Sequence, residues 1–264
     1  MEAPEFIPTK QHRRFIEFAD ACRRDRYIGL CYGPPGVGKT LSARHYARWD
    51  DLGRWLRPCR PEFVPEEGRP DWNTLVFTPT VHATPRVIDK ELADLSARLT
   101  LARMTDVDDP AARAKPHGSP QYVELLIVDE VDRLRMPALE QLRDHYDRSH
   151  FGMILIGMPG IEKRLARYPQ LYSRVGFVHH YRTLSADEQT FLLARHWPQL
   201  RLDNTDDYTT VEAVAAIVRI TGGNFRLTIR LLGQIQRILD INDLATVTSE
   251  VVHAARQSLV IGTQ

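Results

Sequence analysis

Five short apolar runs, separated by stretches of helical periodicity, organise the chain as far as about residue 183. The first is Tyr27-Ile28-Gly29-Leu30-Cys31-Tyr32; the others are Asn73 to Thr78, Tyr122 to Glu130, Phe151 to Gly157 and Phe177 to Tyr181. Runs apolar on both faces suit strands of a parallel sheet buried under helices. Between them the period changes. A helix is expected from Thr9, a good N-cap, to about Arg26, with Phe15, Ile16, Phe18, Ala19 and Cys22 as its apolar face. Thr84-Pro85 opens another, carrying Val87, Ile88, Leu92, Leu95 and Leu99, and a third is expected from about Pro137 to Asp147. Strands alternating with helices predict an α/β fold with a doubly wound parallel sheet, whose ligands sit at the carboxyl ends of the strands.

After Leu184 the pattern becomes all-helical. Ser185-x-x-Glu188 is a capping box, and helices are expected near 208–221, 224–240 and 248–259. The expected division is an N-terminal helix (1–26), a nucleotide-binding core (27–183) and a small C-terminal helical lid (184–264). Asp50 to Trp72, rich in Pro, Gly and Trp, reads as an irregular insertion, and 104–120 as a loop.

Composition narrows the class without deciding it. The chain has 264 residues, 43% hydrophobic and 26% charged, as a globular protein of one or two domains would be. A formal net charge of +1 gives no global attraction to nucleic acid, so DNA contact requires a local patch. The three cysteines (Cys22, Cys31, Cys59) are odd in number, lack paired metal spacing and are expected as reduced thiols in a cytosolic setting. No run is long and apolar enough to span a bilayer, and the start Met-Glu-Ala-Pro lacks an apolar export segment, so no membrane partner is expected. His179-His180 has no third ligand in evidence.

The chemistry lies in Gly33-Pro34-Pro35-Gly36-Val37-Gly38-Lys39-Thr40, which fits G-x-x-x-x-G-K-[ST] between a strand and a helix that begins with Leu41. Its glycines let backbone N–H groups curl around an anion. Lys39 can reach the β- and γ-phosphates of ATP, and Thr40 can ligate Mg2+ at the positive end of the helix. Residues 33–41 are thus the candidate nucleotide cradle. The third apolar run ends in Asp129 and Glu130. There Asp129 would hold Mg2+ through water, and Glu130 would polarise the attacking water. The adjacent Glu argues against mononucleotide kinases and small GTPases, which position water by other means. Tyr168-Pro169-Gln170-Leu171-Tyr172-Ser173-Arg174 places an arginine before the fifth strand, where it could reach the γ-phosphate of a neighbouring copy or make an intrachain salt bridge. Arg164 and Arg167 compete for that role. Gly222-Gly223-Asn224-Phe225-Arg226 opens a lid helix, as a γ-phosphate-sensing Arg226 or as a plain Asn cap with a solvated Arg. At the end of the fourth run, Met158 stands where many such ATPases carry a polar residue, so slow, switch-like hydrolysis is expected.

Together GPPGVGKT, LLIVDE, PQLYSR and GGNFR resemble the P-loop AAA+ ATPases over about residues 10–260, and within them the helper subunits of bacterial DNA transposition typified by Mu B, IstB, TniB and TnsC. The resemblance implies ATP-dependent assembly into a homo-oligomeric ring or helical filament on duplex DNA and recruitment of a DDE-type transposase. Replication initiators with a similar core usually append a winged helix, and the chain ends shortly after the third lid-region helix, so DNA is expected to be gripped by the core. In the resembled group, elements between the second and third strands and near the acidic strand line the DNA path. Here those regions offer Lys90, Arg98, Arg103, Arg113, Lys115, Arg133 and Arg135, which an ordinary solvated face explains as well. The acid-free stretch from Ala213 to Leu239, with Arg219, Arg226, Arg230 and Arg237, could instead dock a subunit or partner. Trp49, Trp55, Trp72 and Trp197 read as packing residues. The competing function is a protein-remodelling or scaffolding ATPase that does not act on DNA; a small-molecule kinase is disfavoured.

Overall fold

The computed structural model describes residues 6–55, 72–104, 123–204 and 206–259. Their contacts divide into two compact units, one of residues 1–33 and 39–181, the other of residues 34–38 and 182–264.

The first unit is built on a five-stranded sheet in the order β2-β3-β4-β1-β5, with β1 Ile28–Tyr32, β2 Thr74–Phe77, β3 Leu125–Val128, β4 Gly152–Gly157 and β5 Val175–His180. Every neighbouring pair is parallel. Strands β2, β3 and β4 are buried along their whole length, whereas β5, at the sheet edge, alternates between half-buried and exposed positions. Side chains alternate across the sheet. Ile28, Leu30, Leu75, Leu126, Met153 and Leu155 join a core with Ile88, Leu92 and Leu99 of α4 (Pro85–Met104) and Leu139 and Leu142 of α5 (Met136–Arg148). The opposite face receives α1 (Lys10–Asp25), which buries Phe15, Phe18, Ala19 and Cys22. Two glycines permit that close approach. A Cβ on Gly29 would stand 2.4 Å from Cys22 Sγ, and one on Gly152 would stand 2.2 Å from the Cys22 carbonyl oxygen.

Among the described residues this unit also carries α2 (Lys39–Tyr46), α3 (Trp49–Trp55), and the short α6 (Ile161–Leu165) and α7 (Pro169–Tyr172). Helix α3 corrects the expectation of an irregular segment from Asp50. Asp50 and Asp51 fall in its first turn, where carboxylates complement exposed N–H groups, and Arg48 pairs with Asp51 at 3.0 Å. Of the rest of that segment Trp72 alone falls within the described residues; of the loop expected over 104–120, Met104 does, and it ends α4. β5 begins at Val175, earlier than its apolar run implies, because pairing to β1 rather than hydrophobicity sets its start.

The second unit contains α8 (Ala186–His196), α9 (Tyr208–Thr221), α10 (Phe225–Ile241) and α11 (Ser249–Gln257). Leu193, Ala213, Ile217, Leu231, Leu232, Ile235 and Val252 form its core. Each helix has a side-chain cap: the Ser185 capping box, Asp207, Asn224 and Thr248. No helix among the described residues is long and apolar enough to cross a membrane.

Candidate nucleotide site

In the first unit, β1 ends at Tyr32 and the chain must turn at once at Gly33. A Cβ there would lie 2.0 Å from the Tyr181 carbonyl oxygen, so only glycine fits. Helix α2 starts at Lys39, whose Nζ donates to the Gly33 carbonyl at 2.6 Å and is nearly buried. The Thr40 hydroxyl donates to Asp129 Oδ2 at 2.6 Å, joining the start of α2 to the tip of β3. Asp129 is 3% exposed, and its Oδ1 accepts the Glu130 backbone N–H at 2.9 Å. A hydroxyl and a carboxylate in contact are the hard oxygen donors that Mg2+ takes, with phosphate and water completing its shell. The residues therefore fit the metal.

Glu130 has φ of 51°, in the left-handed region that non-glycine residues seldom occupy, and its side chain is exposed. Its carboxylate forms an ion pair with Arg133, which also donates to the Pro79 carbonyl at 3.1 Å. Asp132 Oδ2 accepts the Met158 N–H at 2.8 Å, tying the turn after β3 to the tip of β4. Arg164 reinforces the turn by donating to the carbonyls of Asp132 and Leu134.

In the second unit, Pro34 to Gly38 lie against the start of α10. Gly36 and Gly38 adopt φ of 78° and 108°, backbone that turns successive N–H groups inward. The Arg226 N–H donates to the Gly36 carbonyl and Asn224 Nδ2 to the Pro35 carbonyl, each at 2.9 Å. The same Asn224 caps α10 by accepting the Leu227 N–H at 3.1 Å. The Arg226 side chain is exposed and Val37 is buried.

Leu41 is half exposed on α2. Arg174 makes a two-point ion pair with Asp147, at 2.6 and 2.8 Å, and also donates to the Gln170 carbonyl. The intrachain alternative weighed for it is thus present within one copy. Lys90 and Arg98 are exposed on α4, and Arg135 is exposed at the start of α5. The Arg103 side chain, Arg113 and Lys115 lie outside the described residues. His180 stacks on Tyr32, whereas His179 sits among Phe15, Phe18 and Tyr181, with burial pushing its pKa down to about 4. Trp72 is buried in the sheet core, Trp49 packs against it, and Trp197 packs on the helical core. Cys22 and Cys31 are buried thiols; burial pushes Cys22 up to about 12.

A family model for the AAA domain matches residues 22–165. The chain belongs to the AAA domain family. This AAA domain is 44% identical over 264 residues to a "Potential ATP-binding protein" of Staphylococcus aureus, covering 97% of each chain. It is 27% identical over 238 residues to the "Mu-like prophage FluMu DNA transposition protein B" of Haemophilus influenzae, covering 86% of this chain and 71% of that one. Among solved structures, the Thermotoga maritima RuvB Holliday junction branch migration motor superposes with a TM-score of 0.58 at 17% identity, covering 97% of this chain and 71% of that one. The fold is therefore the parallel-sheet AAA+ core with C-terminal helices, and the family is one of ATP-binding ATPases.

Several contacts of the chain have no signature in sequence. Asn224 reads there as a cap, and nothing announces its second bond to Pro35. The partners Asp132–Met158 and Arg133–Pro79 are likewise brought together only by the sheet. A polar residue just after an acidic strand end is the one signal that could have drawn attention to Asp132.

Proposed function

We propose that this AAA domain is an ATP-switched assembly factor. It binds ATP and Mg2+, self-associates into a ring or filament on duplex DNA, and directs a DDE-type transposase to the target. The observation that carries the DNA assignment is the likeness to a DNA transposition protein B over 86% of the chain. The contact between Thr40 and Asp129 supports the ATPase chemistry.

In this reading the cradle from Gly33 to Leu41 wraps the phosphates. Lys39 leaves the Gly33 carbonyl for the β- and γ-phosphates. Thr40, and Asp129 through water, would hold Mg2+, and the bound metal would neutralise charge on the phosphates. Glu130 takes the proton of the water that attacks the γ-phosphorus, and ADP leaves. Arg174, oriented by Asp147, completes a neighbouring copy's site, a contribution worth about 10³–10⁵ in rate in the best cases. Arg226 senses the γ-phosphate from the lid at 184–264, while 27–183 forms the nucleotide core and 1–26 the N-terminal helix. Lys90, Arg98, Arg133 and Arg135 offer phosphate contacts; many copies each contributing a few would give affinity without sequence preference. The setting is the bacterial cytoplasm. With Met158 in place of a polar residue at the tip of β4, hydrolysis is slow, and steady turnover of many per second would contradict this.

Electron microscopy of the protein with ATP and duplex DNA is the test. Ordered assemblies are expected with wild type. Lys39→Ala should lose nucleotide binding and assembly, and Glu130→Gln should bind ATP, fail to hydrolyse it and form longer-lived assemblies. Absence of ATP-dependent DNA binding at low salt, with hydrolysis intact, would instead favour a scaffolding ATPase that acts on proteins.

A further inference from the structure

We infer that the outer face of α10 docks an acidic amphipathic helix of a partner protein. The face runs Arg230, Gly233, Arg237 and Ile241, and all four are exposed. Their spacing keeps them on one side of the helix. Arg226, one turn nearer the start, is left to the nucleotide.

The charge on this face is uncompensated. No carboxylate occurs from Phe225 to Leu239. Asp240, which follows, accepts from Gln236 Nε2 at 2.7 Å. On α5, by contrast, Glu140 and Asp147 hold Arg143, and Asp144 holds Arg148. Among the described residues Arg230 and Arg237 have no carboxylate partner. Both are arginines, whose planar forks take carboxylates at two points. They stand about 10 Å apart along the axis, a spacing that two carboxylates seven residues apart on a facing helix match.

Between them lies Gly233. Glycine is a poor helix former, and an added Cβ here would meet nothing within 4 Å, so no contact inside the chain requires it. A missing side chain instead permits close approach from outside. Packed helices lie about 8–10 Å apart, the distance being set by the side chains at the crossing. A small residue facing Gly233 would bring the crossing to the short end of that range, with a carboxylate beside each arginine.

Beyond Arg237 the face becomes apolar. Ile241 is 68% exposed, and Leu244, just past the helix, is 45% exposed. They suit an apolar side chain one turn beyond the second carboxylate. A phosphodiester backbone would leave Gly233, Ile241 and Leu244 without a role and would meet exposed Asp240. A second copy supplies no complement: among the described helices Glu140 and Asp147 are the carboxylates seven apart, and Arg143 holds both.

The probe is a fluorescein-labelled, alanine-based helical peptide with Glu at two positions seven apart, Ala midway between them and Leu four residues past the second Glu. In its control both Glu are Gln. Anisotropy is read with the full chain at low salt. An exposed ion pair shifts an equilibrium by about 1.5- to 5-fold, so wild type should prefer the acidic peptide by about 2- to 25-fold. Arg230→Gln and Arg237→Gln should each weaken its binding by about 1.5- to 5-fold, with melting temperature and basal ATP turnover unchanged. Gly233→Leu should bind it roughly tenfold more weakly, because the added side chain holds the helices apart, although its own helix is no less stable. No preference of wild type for the acidic peptide overturns the inference, as does undiminished binding by Gly233→Leu or by both arginine variants. Two other occupants are separated by the variant carrying both arginine changes. If it loses affinity for a random-sequence DNA duplex while peptide binding stays intact, the face belongs to nucleic acid. If it alters sedimentation of the protein alone, the face joins copies of the chain. Either result also overturns the inference.

Discussion

Asn224 offers a sharp test of how the phosphate loop is held. Its side chain does two things at once: Oδ1 accepts the Leu227 N–H and caps α10, and Nδ2 donates to the Pro35 carbonyl. Replacing it by alanine removes both. Loss of a cap costs about 1 kcal/mol, within a range of roughly 0.5–2. Loss of one neutral hydrogen bond costs about another 1 kcal/mol. Asn224→Ala should therefore destabilise by about 2 kcal/mol. Aspartate keeps an acceptor for the cap but turns a second oxygen toward the Pro35 carbonyl. Asn224→Asp should thus lose about 1 kcal/mol and bind ATP more weakly, because its charge sits beside the candidate phosphate loop. Urea titrations of the three proteins give the stabilities, and a fluorescent ATP analogue gives the affinities. If Asn224→Asp matched wild type in both, the bond to Pro35 would contribute nothing, and the loop would be held by the Arg226 N–H and its own glycines.

Two further outcomes follow from packing and burial. His179 is kept neutral by burial first, and by the nearby charges of Arg14 and His180, with its pKa near 4, while an unfolded histidine titrates near 6.5. Between those values the unfolded chain binds a proton that the native one does not. The stabilising contribution is therefore complete above pH 6.5 and lost as pH falls toward 4, at up to about 1.4 kcal/mol per pH unit. His179→Phe also removes an unpartnered buried Nε2; it should raise the urea midpoint at pH 5 more than at pH 7.5, and equal shifts would refute the assignment. Gly233 lies exposed inside α10, where an added Cβ meets nothing within 4 Å. Gly233→Ala should stabilise by about 1 kcal/mol, read as a higher melting temperature.

The parts legible in sequence are those whose signal is local. The phosphate loop has fixed spacing, the acidic pair ends an apolar run, and Ser185 and Glu188 cap from a short distance. Strands β1 to β4 could be read because strands buried on both faces are continuously apolar. β5 was read less well, since an edge strand with Gly176 and Val178 exposed has no such continuity. What sequence does not carry is pairing across the chain. The buried hydrogen bonds between Ser42 and His12 and between Ser42 and Tyr181 join α1, α2 and the residue after β5, and none of those residues signals its partner. Helix α3 escaped because Gly53 and two tryptophans mask two acidic residues placed for a helix start.

The strand order has a consequence for biosynthesis. Among the described residues β1, which delivers the chain into the candidate phosphate loop, pairs with β4 and β5. A chain emerging from the ribosome thus translates its candidate phosphate loop early but completes the strand pairing beneath it only when residue 180 is out. Long-range pairing of this kind is slow to form. Fragments that stop short of β4 should therefore be captured by chaperones rather than rescued by nucleotide.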